Sequence, residues 1–203
     1  MARATPTKPK ARTRLDVEVR KNELLELGLA TFAAHPYDEV SIDELARKAK
    51  ISKGLLYHYF PTKRDFYVAA LELAANRLLA ETAVDDTLPP LDRLLAGIGA
   101  YLDFVARHKR AYVALMRGGV GSDPAVARVV ERTREALLER LLAGVQARGP
   151  RVRHAMRGWV GFVEALALDW LLHEDVPQDE LVELAVGVLL ELIRRTGVSM
   201  IAR

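Results

Sequence analysis

The sequence predicts an all-α fold of about nine helices in two parts, a small basic head and a larger apolar body. Ala, Leu and Val are prominent in a 203-residue chain that is 50% hydrophobic but only 6% aromatic, a composition that suits helices and gives little support to a sheet. Apolar residues recur at three- and four-residue spacing, and no run alternates in the way that demands a strand. Prolines, glycines and capping residues fall between the periodic stretches.

The elements follow in order. Residues 1–14 carry Arg3, Lys8, Lys10, Arg12 and Arg14, two prolines and no acid. Such a segment cannot bury enough apolar area to fold alone; it is either a solvated tail or an arm that follows a DNA backbone or enters a minor groove. A first helix is expected from about Val17 to Ala34, with Leu25, Gly28, Leu29 and Phe32 on one face. His35-Pro36 ends it. Ser41-Ile42-Asp43-Glu44 reads as a capping box in which the serine caps a new helix and the glutamate reaches back. That helix turns Leu45, Ala46 and Ala49 inward and is over by Lys48. A tight corner, Ala49-Lys50-Ile51, leads to a second short helix within Ser52–Lys63.

Thr62-Lys63-Arg64-Asp65 is another capping pattern and opens a longer helix to about Ala83. Pro89-Pro90 starts the next, to about His108, and a short helix covers Arg110 to Met116. Gly118-Gly119-Val120-Gly121 breaks the chain. Asp123-Pro124 restarts it as N-cap and first helical residue. Gly149-Pro150 and Pro177 punctuate the last two long helices, about Arg151–His173 and Gln178–Arg195.

Composition excludes several functions. There is no cysteine, hence no disulfide, thiolate catalysis or thiolate zinc site. No Gly-x-Ser-x-Gly, His-Glu-x-x-His or phosphate-binding lysine loop occurs. Gly119-Val120-Gly121 follows no strand and reads as a turn, and His173-Glu174-Asp175 as a solvated helix end rather than a metal site. No enzyme activity, metal or cofactor is expected. Glu164 and Asp169 interrupt the longest apolar candidate, Trp159–Leu172, so no membrane span is expected. No apolar signal segment follows the basic N-terminus; a cytoplasmic location is the expectation.

Charge is unevenly distributed. Through Tyr67 there are 13 Lys and Arg against nine Asp and Glu; the remainder holds 17 against 18. The excess positive charge coincides with the two short helices and their corner, as a polyanion partner requires. Two such helices make a helix-turn-helix, whose second helix enters the major groove of DNA. Lys50 stands where a glycine is favoured, because such corners can demand a positive φ. A lysine held there costs roughly 1–2 kcal/mol if the conformation is left-handed, offset if its side chain gains a phosphate.

Leu24-Leu-Glu-Leu-Gly-Leu-Ala-Thr-Phe32, Ser41-Ile-Asp-Glu-Leu-Ala46 and Ile51-Ser-Lys-Gly-Leu-Leu-Tyr-His-Tyr-Phe-Pro-Thr-Lys63 resemble the TetR family of bacterial transcriptional regulators. The resemblance is specific over residues 20 to 70; beyond that only helix number, length and order agree. It implies a homodimer that binds double-stranded, palindromic operator DNA, most commonly as a repressor, and releases it when a small ligand enters the body. A DNA-binding regulator without a small-molecule effector is the alternative. The domains implied are a basic arm (1–14), a helix-turn-helix domain (15–65) and an effector-binding and dimerisation domain (66–203).

Matched position by position, Ser41 and Ser52 resemble phosphate-holding residues at helix starts. Lys53 and Gly54 resemble residues that approach base edges. Tyr57 and His58 match positions that meet phosphate or a thymine methyl, Tyr59 one often held by histidine, and Lys63 a phosphate-binding lysine. Leu55 departs from the family's usual small or polar residue and can read only an apolar feature. Lys50 departs from its glycine and joins the candidate contacts. Leu56 and Phe60 are expected in the core.

In the body, Arg157–Leu172 is apolar around most of its circumference, which implies burial on several sides. The resemblance makes this helix and the last one the dimer face, with candidates Gly158, Gly161, Ala165, Trp170, Leu181, Leu184, Val188 and Leu192; alternatively they close the monomer's own core. Glu164 and Asp169 need partners if buried, either Arg153, Arg157 or a mate's side chains, or else one faces a ligand. The expected pocket is lined by Tyr101, Phe104, Val105, Tyr112, Met116, Trp159, Phe162, Val163 and Leu166. Its apolar character points to a small hydrophobic effector: lipid-like, acyl or planar aromatic.

Overall fold

The computed structural model describes residues 10–119, 123–144 and 149–196. Among them lie nine α-helices and no strand: α1 Lys10–Ala34, α2 Ile42–Lys48, α3 Lys53–Tyr59, α4 Lys63–Glu81, α5 Pro90–Arg107, α6 Lys109–Ala114, α7 Pro124–Ala143, α8 Pro150–His173 and α9 Gln178–Thr196. A 3-10 turn at Tyr37–Glu39 precedes α2, and a π-helical turn at Leu115–Gly119 follows α6. The chain divides into two compact units, Met1–Ala70 and Leu71–Arg203.

Helix α1 starts seven residues before the expected Val17. Lys10–Arg14 of the basic segment are therefore helical, while residues 1–9 lie outside the described residues. Once a helix is nucleated each added residue costs little, and Ala11, Arg12, Arg14 and Leu15 rank among good helix formers. The expected break at Gly118–Gly121 is shifted too, because helical structure persists through Gly119; Val120 and Gly121 lie outside the described residues.

The first unit closes on Leu24, Leu25 and Phe32 of α1, Ile42, Leu45 and Ala46 of α2, Leu56 and Phe60 at α3, and Phe66 and Ala70 of α4, all buried. Phe66 stacks on Phe60 with ring centroids 4.6 Å apart and meets Phe32 edge-on at 5.9 Å. Its ring lies against Gly28, where a Cβ would come within 2.7 Å of Phe66 Cζ. Packing alone therefore requires glycine at that position. Ser41 Oγ accepts from Glu44 N at 3.4 Å, but the Glu44 carboxylate pairs with Lys48 at 3.1 Å, so the box forms only its serine half. At α4, Thr62 Oγ accepts from Asp65 N at 3.0 Å and donates to Asp65 Oδ2 at 2.8 Å.

The second unit is held by a large apolar cluster in which Leu102 and Val105 of α5, Leu138 of α7, Ala167 of α8 and Ala185 of α9 are fully buried. Trp159 Nε1 donates to Ala185 O at 2.8 Å, tying α8 to α9. Glu131, Glu135 and Glu139 share a face of α7 through four-residue spacing. Arg157 bonds Glu131 at 3.1 Å, and Arg153 bonds Glu135 and Glu139 at 2.5 and 3.0 Å. The two arginines thus belong to this ladder and not to Glu164 or Asp169. No described helix is long and apolar enough to cross a membrane.

Candidate nucleic-acid interface and body cavity

The corner between α2 and α3 is a Schellman turn. Ile51 N donates to Ala46 O at 3.0 Å and Lys50 N to Arg47 O at 3.1 Å, the pairing that requires a left-handed residue between. Lys50 supplies it at φ 55°, in the place where glycine is ordinarily favoured. Ser52 then caps α3, its Oγ accepting from Leu55 N at 3.1 Å.

α3 is divided by role. Leu56 and the capping Phe60 are buried and seat the helix. Lys53, Gly54, Leu55, Tyr57 and His58 are exposed and Tyr59 half-buried, with Leu55 at 40% and Tyr57 at 38%. His58 and Tyr59 meet edge-on at 5.9 Å. A Cβ on Gly54 would meet nothing closer than Ser52 Oγ at 4.0 Å. Unlike Gly28, Gly54 is not required by packing within the chain; it is the second residue of α3, where a glycine costs less than the roughly 1 kcal/mol relative to alanine of a helix interior.

The neighbouring polar groups are arranged around that face. Ser41 and Ser52, both exposed, use their oxygens as caps, which leaves each hydroxyl proton to donate. Lys53 Nζ is 2.9 Å from the Asp43 carboxylate, whose hydrogen bond and charge hold the ammonium above the usual lysine range. Lys63 Nζ sits 4.5 Å from the centroid of the Tyr37 ring and donates to Asp38 O at 3.3 Å. It is anchored on neutral acceptors.

The second unit holds a cavity of ≈ 560 Å³ that is partly open to solvent, within the range of small-molecule sites. α5 contributes Arg93, Leu94, Gly97, Ile98 and Tyr101, and α8 contributes Met156, Trp159, Val160, Val163 and Glu164. The stripes Arg93–Tyr101 and Met156–Glu164 each span nine residues, about 12 Å of helix from first to last. Residues after α4, the end of α7, and Leu189 and Ile193 of α9 complete the wall. Of the nine residues expected from sequence, Tyr101, Trp159 and Val163 line it. Phe104, Val105, Phe162 and Leu166 lie beside or one turn beyond the two stripes, packed into the core or against it. Met116 is half-buried in the π turn. Tyr112 closes that end from behind, its hydroxyl 2.8 Å from that of Tyr101 and donating to Glu164 O at 3.3 Å. The cavity stops at this tyrosine pair and extends instead toward the α4–α5 connection.

Its polar groups sort to the two ends. At one, burial raises the hydroxyl pKa of Tyr101 and of Tyr112, so both stay protonated. Glu164 is held by Arg134 of α7 through Nε at 2.9 Å and Nη2 at 2.8 Å, with side chains 14% and 19% exposed. This partner was not among those expected. At the other end, Arg140 donates to Thr82 Oγ1 at 3.1 Å and Leu79 O at 2.7 Å, both neutral. Arg93 reaches Asp86 at 3.4 Å, near the limit of a hydrogen bond, while that aspartate is largely in solvent. This end is cationic.

The outward side of α8 and α9 is apolar and small-sided. Gly158, Ala165 and Leu184 are exposed, and Gly161, Trp170, Val188 and Leu192 half-buried. Leu181, at 5% exposure, belongs to the monomer's own core, because it falls on the α9 stripe that also buries Ala185 and Leu189. Trp170 Nε1 donates to Val176 O at 2.9 Å. A Cβ on Gly158, Gly161 or Gly187 would meet nothing within 4 Å. Asp169 is exposed, with His173 Nδ1 at 3.5 Å.

A family model described as "Bacterial regulatory proteins, tetR family" matches residues 24–70, and one described as "Tetracyclin repressor-like, C-terminal domain" matches residues 90–191. A crystal structure of a tetR-family transcriptional regulator from Streptomyces coelicolor superposes with a TM-score of 0.81 at 34% identity, covering 89% of this chain and 82% of that one. The chain belongs to the TetR family. Among curated relatives, the HTH-type transcriptional activator FasR of Mycolicibacterium smegmatis is 27% identical over 175 residues, 82% of this chain and 78% of its own. The HTH-type transcriptional repressor KstR of Mycobacterium tuberculosis is 27% identical over 132 residues, 64% of this chain and 60% of its own.

Family membership makes this chain a helix-turn-helix, DNA-binding transcriptional regulator and not an enzyme. TetR-family regulators bind operator DNA, typically as dimers. Several residues at these sites were not singled out from sequence: Asp43 on Lys53, Arg134 on Glu164, the mouth arginines Arg93 and Arg140, and Gly187. Gly187 carried a readable signal, a glycine inside an apolar helical stripe. The ion pairs carried none, because their partners lie 10 to 30 residues apart on separate helices.

Proposed function

We propose that this protein is a ligand-responsive repressor that binds a palindromic operator as a homodimer and leaves it when a small hydrophobic effector enters the body cavity. The head (15–65) reads DNA through the outward face of α3. Lys53, Gly54 and Leu55 meet base edges; Ser41, Lys50, Ser52, Tyr57 and Lys63 hold phosphate; His58 and Tyr59 flank them. The basic residues of 1–14 supply an arm. The body (66–203) pairs through α8 and α9, where the open glycines let a second copy approach closely, and the protein works in the cytoplasm.

The observation that carries the ligand half of this reading is the ≈ 560 Å³ cavity with an apolar wall and polar ends. Arg140, bonded only to neutral oxygens, supports an effector with an apolar body and an anionic group left at the Arg93–Arg140 end. α4 carries residues of both units, and effector-dependent tilting of it is the proposed coupling. By linkage, operator DNA then weakens effector binding by the same factor.

Selecting duplexes from a random pool with the purified protein should enrich palindromes whose half-sites are about 34–36 Å apart. Enrichment of sequences without two-fold symmetry would sink the dimer reading. Dodecanoate, added to the selected complex, should release the DNA and change Trp159 fluorescence, with dodecanol at least tenfold weaker. Equal potency of acid and alcohol would remove the anionic group from the proposal, and equal dodecanoate affinity with and without operator would remove the coupling.

A further inference from the structure

The basic residues bordering the outward face of α3 are not equivalent. Among the described residues, Arg47 and Lys50 have no carboxylate within ion-pair distance, and Lys48 pairs along its own helix with Glu44. Lys63 rests on a tyrosine ring and a carbonyl. Lys53 alone is bound across the corner, 2.9 Å from Asp43 in the first turn of α2. The pair is exposed, at 51% and 68%, and an exposed pair of this kind adds little to folding. Nor does α2 depend on Asp43 for an acid at its N-terminus, since Glu44 occupies the same turn.

A carboxylate on a surface that must approach a polyanion is adverse for binding. Its effect on Lys53 depends on what the ammonium meets. An ammonium has three protons to donate, and Asp43 accepts one of them. A guanine O6 or N7 is a neutral acceptor and can take another while the pair stays intact. A phosphate in the same place meets the carboxylate's charge as well, and the neutralised pair releases no counterion on contact.

We infer that Asp43 is a specificity-determining residue, which neutralises Lys53 toward phosphate and so suppresses binding to non-cognate DNA while leaving Lys53 able to donate to base edges. This rests on the reading of α3 as the DNA-contacting face.

The test is a double-mutant cycle on the full chain, using fluorescence anisotropy with a short random-sequence duplex over a range of salt. Asp43→Asn should bind that duplex about tenfold more tightly and steepen the salt slope by about one unit per protomer. Lys53→Gln alone should leave the slope near that of the unmodified chain, because Lys53 is already neutralised, but should weaken binding, because the Asp43 carboxylate is then unpaired toward the polyanion. The double variant, which has lost both charges, should return to the affinity and slope of the unmodified chain. Asp43→Ser, with a thermal melt of each variant, separates lost charge from lost folding and should behave as Asp43→Asn does. The inference is overturned if the Asp43 variants leave affinity and slope unchanged, or if Lys53→Gln alone flattens the slope by a unit. Absence of duplex binding by the unmodified chain and Asp43→Asn alike would overturn the DNA-face reading, and this inference with it.

Discussion

In the head, ring packs on ring: Phe60 and Phe66 stack at 4.6 Å, and only a glycine fits where Phe66 meets α1. The body, built from helices of similar apolar character, leaves ≈ 560 Å³ unfilled. The head's interior is thus committed to folding, while Gly54, Leu55 and Tyr57 on its outward face stay exposed. In the body the burden is reversed. Charged and hydroxyl groups are drawn inward to the cavity wall, and each needs a partner there. A polar residue inside the body is structurally expensive, whereas a polar residue outside the head is structurally cheap.

The largest effect that could break this contrast concerns Glu164 and Arg134. Both side chains are mostly buried, and removing one partner of a buried pair leaves an uncompensated charge. Arg134→Met should therefore destabilise the body by about 3 kcal/mol, read as a lower urea midpoint. Arg134→Met with Glu164→Leu should recover most of that loss, since a well-packed apolar pair can replace a buried ion pair. A single variant as stable as the unmodified chain would mean the body tolerates inward charge as readily as the head tolerates outward charge.

A smaller pair of effects compares two glycines of the head. Gly28→Ala drives a Cβ toward the Phe66 ring and should cost about 1–3 kcal/mol by overpacking. Gly54→Ala meets open space and should gain less than about 1 kcal/mol from helix propensity, yet weaken DNA binding by keeping the backbone from the groove. Stability by denaturant melt and affinity by anisotropy should move in opposite directions for Gly54→Ala and fall together for Gly28→Ala. If Gly54→Ala binds DNA unimpaired, that glycine has no role in close approach.

The same division explains what could be read from sequence. The head's site is contained in Ser41–Lys63, a span in which caps, a corner and an inward stripe are set by residues three or four apart, so the burial of Leu56 and the exposure of its neighbours on α3 follow from local pattern. The body's cavity is assembled from four helices and the α4–α5 connection, whose register sequence alone does not state. Tyr101, Trp159 and Val163 were legible as large apolar residues near small ones. Arg93, Arg140 and Arg134 were not, since an arginine on an amphipathic helix reads as solvent-facing unless its distant partner is known. The start of α1 at Lys10 was missed for the opposite reason: basic composition argued for a tail, and local helix propensity won.

The smallest effect tests the corner itself. Lys50 holds φ 55° in a turn whose two hydrogen bonds fix the exit of α2. A side chain there is strained by roughly 1–2 kcal/mol, and glycine recovers part of that while adding freedom to the unfolded chain. Lys50→Gly should therefore stabilise the head by about 0.5–1 kcal/mol. If Lys50 also grips phosphate, the same variant should lower the salt slope of DNA binding by about one unit per protomer. Stabilisation with an unchanged slope would assign Lys50 to the corner's geometry alone. A loss of stability would show that its side chain supports the head in a way that the strain does not reveal.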